Sequence, residues 1–151
     1  MQNNNKKFDQ NENRERKINK KRNVAIVGFL NSKKQILLVR TKRLPSKWQP
    51  VGGGIDNNET PITAIIREAK EETNITINTE NLQEIVQLPY DYGEGTIYFY
   101  TSVLDDNHNI KFNHSEILEH NWFSLSDAKR LPLFNATEKF INILIEKEYK
   151  E

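Results

Sequence analysis

Residues 51–75 read VGGGIDNNETPITAIIREAKEETNI, and the reading of this stretch decides the rest of the chain. Its second half carries a helical pattern. Thr60 suits the N-cap and Pro61 the first helical position, where a missing N–H costs nothing. Ile62, Ile65, Ile66 and Ala69 fall at i, i+3, i+4 and i+7, a stripe expected to face a core. Asn74 is the expected stop, because asparagine tolerates the left-handed conformation that ends helices. At about 100° per residue, Glu68, Glu71 and Glu72 share one sector flanking that stripe. Three like charges on one patch repel and raise each other's pKa unless something positive binds. A hard divalent cation gives the cluster a purpose, since it takes oxygen ligands. Gly52, Gly53 and Gly54 suit the same end, letting backbone carbonyls and a phosphate chain come close.

On the N-terminal side of this stretch, NVAIVGFL and QILLVR flank the polar turn NSKK and read as a hairpin of buried strands. The basic loop RTKRLPSKWQP leads from them to the glycines. On the C-terminal side, ITINTENLQEIVQLPY and GTIYFYTSVL read as strands, HNWFSL as a further short strand and SDAKRL as a short helix. From Asn135, expected as an N-cap with Glu138 three residues on, a last helix places Phe140, Ile141, Leu144 and Ile145 on one face. Strands, a helix, more strands and a terminal helix imply a mixed sheet covered by helices.

The totals fit one domain of 151 residues with 36% hydrophobic and 28% charged side chains. No apolar run nears the roughly 20 residues that cross a bilayer, the N-terminus has no apolar signal core, and no cysteine is present for a disulfide or thiolate site. These features lead us to expect a cytoplasmic protein with no membrane partner. Residues 1–22 hold eight Lys/Arg against three acids, so the net charge of +1 hides a basic tail. That tail is polar throughout and accompanies no base-reading element, so it reads as a disordered extension and gives little support for nucleic acid as a partner. The domain proper is expected over 23–151.

Taken together, the glycines and the acidic helix resemble the Nudix box, the signature G-x5-E-x7-R-E-U-x-E-E-x-G-U in which U is a bulky aliphatic residue. Gly53, Glu59, Arg67, Glu68, Glu71, Glu72 and Ile75 match it. The preceding hairpin, Trp48 four residues before Gly52, and SEILEHNWFSL after the box resemble the family's layout as well. Three positions depart: Asn74 replaces the last glycine, Ala69 is small for its place, and Val51 stands where many members have proline.

The resemblance implies an α/β/α sandwich on a mixed sheet. It also implies hydrolysis of a nucleoside diphosphate linked to another group, with Mg²⁺ or Mn²⁺ as cofactor and a small nucleotide as substrate. Glu68, Glu71 and Glu72 match the metal-binding glutamates, and the Gly52 carbonyl is a further candidate ligand. Arg67 would orient a glutamate, while Gly53 and Glu59 would brace the loop–helix junction. Glu71 and Glu116 are the candidates for general base, Glu116 because it stands six residues before Trp122, with Glu119 in reserve. Arg40, Lys42 and Arg43, together with Lys47, stand in the loop that would approach a phosphate. Trp48 and Trp122 read as packing residues, and His108, His114 and His120 as surface residues.

Among substrates, triphosphates are favoured by the small domain; ADP-ribose or nucleotide sugars and dinucleoside polyphosphates stay open, as does a homodimer. Two rival readings exist. A catalytically silent Nudix domain that binds nucleotide or RNA would keep the fold. Asp105, Asn107, Asn109 and Glu116 imitate a calcium loop, but Ile110 occupies the position that needs glycine and a strand-like segment precedes it.

Overall fold

The computed structural model describes residues 22–106 and 108–150. The expected basic tail lies outside the described residues, except for Arg22; so does Asn107 of the calcium-loop imitation. Among the described residues six strands form one sheet: β1 (Val24–Leu30), β2 (Ile36–Thr41), β3 (Val51–Gly54), β4 (Leu82–Pro89), β5 (Thr96–Val103) and β6 (Ile117–Phe123). Three α-helices of the described residues accompany them: α1 (Pro61–Thr73), α2 (Leu125–Ala128) and α3 (Asn135–Lys150).

β1 is central, and its near-continuous apolar sequence is explained by burial on both faces. Val24 and Ile26 face a core with Phe140, Ile141 and Leu144 of α3, while Ala25, Val27 and Phe29 face a second core with Ala64, Ile65 and Ala69 of α1. Phe99 of β5 stacks on Phe140 at 4.5 Å. Each such fully buried side chain stabilises the fold by about 1.5–3 kcal/mol. The result is a mixed α/β fold with a helix layer on each face, as the resemblance implied.

The hairpin forms but opens at once. β1 and β2 share only the register pair Leu30↔Ile36, next to a turn in which the Asn31 carboxamide accepts from the Lys33 and Gln35 N–H groups. Beyond it β2 runs with β6, from Ile36↔Phe123 to Thr41↔Ile117, with a bulge at Arg40/Thr41. β1 instead pairs in parallel with β5 over seven residues and antiparallel with β3, Val24↔Gly54 to Val27↔Val51. Gln49, just before β3, bridges to Val39 of β2 through N–H···O bonds of 2.7 and 2.9 Å. The glycine strand is thus wedged into the splay between β1 and β2.

Three local expectations change. The segment after α1 is no strand until Leu82: Ile75 and Ile77 are buried, but the Asn78 carboxamide accepts from the Glu80 N–H and starts a 3₁₀ turn over Thr79–Asn81. β6 begins at Ile117, earlier than expected, because its first residues pair with the end of β2. Asn135 is the first helical residue and not the cap. The N-terminal amide of Ala136 donates instead to the Asp91 carboxylate at 3.1 and 3.3 Å, so the β4–β5 loop caps α3.

Candidate active site

α1 starts and stops where its sequence dictates. The Thr60 hydroxyl accepts from the Thr63 N–H, the Thr63 hydroxyl accepts from the Thr60 N–H at 2.9 Å, Pro61 opens the helix, and Asn74 ends it at φ 62°. The buried stripe is rotated from the expected one. Ile62 is 43% exposed, whereas Ala64, Ile65, Ala69, Glu72 and Thr73 are buried. Glu72 therefore lies within the face that packs on the sheet and not beside it.

Glu72 is 4% exposed, and its Oε2 has no hydrogen-bond partner. Burial pushes its carboxyl up to about 10, with the neighbouring Glu68, then Glu116 and Glu71, adding to the rise. An orphaned buried oxygen beside three further carboxylates is a costly arrangement for an apolar-packed helix. The donor set, all oxygen and strongly anionic once deprotonated, suits a hard divalent cation. Among the described residues no three His, Asp or Glu side chains stand in a ready metal-holding group. Arg67 instead pairs with Glu68 (2.9 Å) and the half-exposed Glu71 (3.4 Å).

Arg67 ties the site together. Its Nε and Nη2 donate to both Glu59 oxygens at 2.7 and 2.8 Å, Nη1 to Glu68 Oε1, and Nη2 also to the Gly54 carbonyl at 3.1 Å. One guanidinium thus joins the loop, the helix and β3, a bidentate use that lysine could not reproduce. The Arg67 hydrogen bond, helped by the Asp56 N–H, holds the Glu59 carboxyl down at about 2. Glu59 in turn leads the causes that raise Arg67 above its ordinary range.

The glycines act differently from expectation. A Cβ on Gly52 would collide with the Ala25 carbonyl and stand 2.7 Å from the Ile26 Cα, so this glycine is required by pairing with β1. A Cβ on Gly53 would stand 2.6 Å from the Glu68 carboxyl carbon. The space at Gly53 therefore seats a carboxylate.

These residues open onto a cleft of about 340 Å³. At one end stand Gly52, Gly53, Glu68, Glu72 and Glu116, with Lys42 and Arg43. The other end is aromatic: Tyr90 and Tyr92 meet edge to face at 5.9 Å, and Tyr92 meets Phe134 likewise at 6.0 Å. Glu116 is held by its backbone, its N–H donating to Asn113 and its carbonyl accepting from the Lys42 N–H. Arg40 is a correction. It does not line the cleft; its guanidinium binds Glu119 at 2.7 Å and the Pro45 carbonyl, and lies over Trp48. The bulge at Arg40/Thr41 falls between the residue turned to Glu119 and those that reach the cleft. The same ion pair occupies Glu119, the reserve base.

Trp48 is buried and packs edge-on against Phe123, as expected of a packing residue. His120 stacks on Phe112 at 3.6 Å, and His108 stands beside Asp105. The segment before the calcium-loop imitation is strand β5, so the helix that such a loop requires is missing. The sequence reading missed the aromatic end. Its signal was the YDYG run at the β4–β5 tip, two tyrosines around an acid, which gains meaning only when Phe134 arrives from the distant α3 end.

Comparison with known proteins gives a consistent outcome. A model of the NUDIX domain matches residues 19–142. The chain is 44% identical to Nudix hydrolase 26, chloroplastic, of Arabidopsis thaliana over 55 residues, covering 36% of this chain and 25% of that protein. It is 29% identical to the RNA pyrophosphohydrolase of Ruthia magnifica subsp. Calyptogena magnifica, covering 66% of this chain and 64% of that protein. It thus spans less than two thirds of the length of either relative. Its fold is similar to that of a C. elegans Ap4A hydrolase solved as a binary complex, with TM-score 0.69 and 19% identity, covering 86% of this chain and 99% of that one.

Proposed function

The chain belongs to the NUDIX domain family, and from that premise we propose that it hydrolyses a phosphoanhydride bond in a nucleoside diphosphate linked to another group, with nucleoside triphosphates as the foremost substrate class. The observation that carries this reading is Glu72, a buried carboxyl with an orphaned oxygen that lines a cleft together with the aromatic group of Tyr90, Tyr92 and Phe134. A cleft of about 340 Å³ is within the size range of small-molecule sites.

Glu68, Glu71 and Glu72, with the Gly52 carbonyl, would hold Mg²⁺ or Mn²⁺. When bound, the cation supplies charge neutralisation on the diphosphate and acidifies water. The chain's own residues do the rest. Arg67 holds Glu68 and the loop in register through its fork on Glu59. Lys42 and Arg43 offset phosphate charge at the cleft wall. The aromatic group of Tyr90, Tyr92 and Phe134 offers ring faces and edges to a base.

Glu116 is the proposed general base. It lines the cleft, whereas Glu71 does not and is drawn to Arg67 at 3.4 Å. Water attacks phosphorus in line, its proton passes to the Glu116 carboxylate, and the bond to the leaving phosphate oxygen breaks. Glu116→Gln is expected to lower kcat by about 10² or more, the scale of general base catalysis, with KM little changed. A rate within threefold of the parent would remove Glu116 from this role. A chain whose substrate is ADP-ribose or a dinucleoside polyphosphate would declare itself by its products in the same assay.

A further inference from the structure

One cation of the cleft has no part in the mechanism above. Arg22 lines the cavity with Glu68, Glu72 and the glycines, and the backbone around it fixes its place. Its N–H donates to the Glu94 carbonyl at 2.8 Å. Its own carbonyl presses on Gly95, which sits at φ +128° and where a Cβ would collide with that oxygen. The guanidinium lies against Gly54: a Cβ there would stand 2.9 Å from Nη2 and 3.0 Å from Nε. Two glycines from separate segments thus make room for one arginine. Among the described residues its guanidinium has no ion-pair or hydrogen-bond partner.

The location is informative. The ladder Val24↔Gly54 continues with the Ile55 N–H donating to Asn23, which places Arg22 at the far end of β3. Gly53 seats the Glu68 carboxylate on the face it shares with Ala25, and Gly54 seats the Arg22 guanidinium on the opposite face, which it shares with Val24, yet both groups line the same cleft. Across β3 from an anionic station for a cation and its diphosphate, the cleft therefore carries a positive one that no acid among the described residues pairs with. A guanidinium fork matches phosphate bidentately. A neutral sugar at that point would offer only hydroxyls and leave the charge unanswered.

We propose that Arg22 binds a phosphate beyond the diphosphate held at the carboxylate end, and so selects nucleotides with three or more consecutive phosphates over diphosphates capped by a sugar. This assignment rests on the hydrolase reading of the cleft.

The test uses the full chain as wild type, Arg22→Gln and Arg22→Lys. The ratio of kcat/KM for a nucleoside triphosphate to that for ADP-ribose is expected to fall about tenfold or more in Arg22→Gln, mainly through KM, on the scale of one charge-assisted hydrogen bond. Arg22→Lys should recover part of it, having the charge without the fork. An unchanged ratio, or an equal fall for both substrates, overturns the proposal. Calorimetric binding of inorganic tripolyphosphate and pyrophosphate separates the two claims. If the wild type hydrolyses neither nucleotide, the hydrolase reading fails. The Arg22 assignment then stands only if Arg22→Gln loses the preference for tripolyphosphate, and equal affinities in both proteins overturn it.

Discussion

Gly53→Ala separates the site from the fold. Its Cβ would stand 2.6 Å from the Glu68 carboxyl carbon and from Oε1, about 0.8 Å inside ordinary contact. The obstacle is the end of a flexible side chain, so Glu68 can swing away while the backbone stays. Gly53 is not in the left-handed region, and alanine there reduces unfolded-state freedom by about 0.4–1 kcal/mol. Against this stands a weakened Glu68–Arg67 hydrogen bond, worth about 1 kcal/mol. Stability should therefore change by less than about 1 kcal/mol. Catalysis should not be spared, because misplacing a ligand group by about 1 Å costs on the order of 10² in rate. Gly52→Ala makes the contrast: its Cβ meets the backbone of Ala25 and Ile26, which cannot move without breaking the β1–β3 pairing. It should lower stability by about 3 kcal/mol or more. Urea melts and steady-state kinetics on both variants check this. Wild-type kcat/KM in Gly53→Ala, or its collapse into an unfolded chain, refutes the reasoning.

Three further outcomes follow from the same geometry. Glu59, held at about 2, contributes stability that is fully present above about 4.5 and drains away as pH falls toward about 2; Glu59→Gln should remove this, so its urea midpoint should differ from that of the wild type at pH 7 much more than at pH 2. Glu72 has the opposite sign: its folded-state value is raised, so stability in metal-free buffer is fully present below about 4.5 and lost as pH rises toward about 10. Glu72→Gln should melt higher than wild type in metal-free buffer at pH 8 and lose the rise in melting temperature that millimolar Mg²⁺ gives the wild type; equal melting curves speak against a strained carboxyl. Asp91→Ala should destabilise the chain by about 1 kcal/mol through loss of the α3 cap, measured by urea unfolding, whereas Asn135→Ala should cost less than half as much.

The helix of the acidic cluster was legible to the residue, because Thr60, Pro61 and Asn74 act through local geometry. Its orientation was not. Of the expected stripe Ile65 and Ala69 are buried, but packing against the sheet chose Ala64 in place of Ile62 and so buried Glu72. The roles of the glycines were equally hidden, since what each would strike depends on a strand pairing 26 or 27 residues away in sequence for Gly52 and on a helix residue for Gly53. Arg40 was misplaced because loop sequence does not reveal a bulge. Asp91 and Phe134 lie 43 residues apart, and only the α3 N-terminus brings them to one cleft.

The proposed hydrolysis of phosphoanhydrides rests on the carboxylates of this cleft, of which Glu72 is buried. Product-resolved turnover of nucleoside triphosphates, ADP-ribose, nucleotide sugars and dinucleoside polyphosphates in millimolar Mg²⁺ tests it most directly. Hydrolysis products are expected from at least one class, led by the triphosphates, and should vanish with chelator and fall by about 10² or more in Glu72→Gln. No turnover of any class by the folded chain would contradict it.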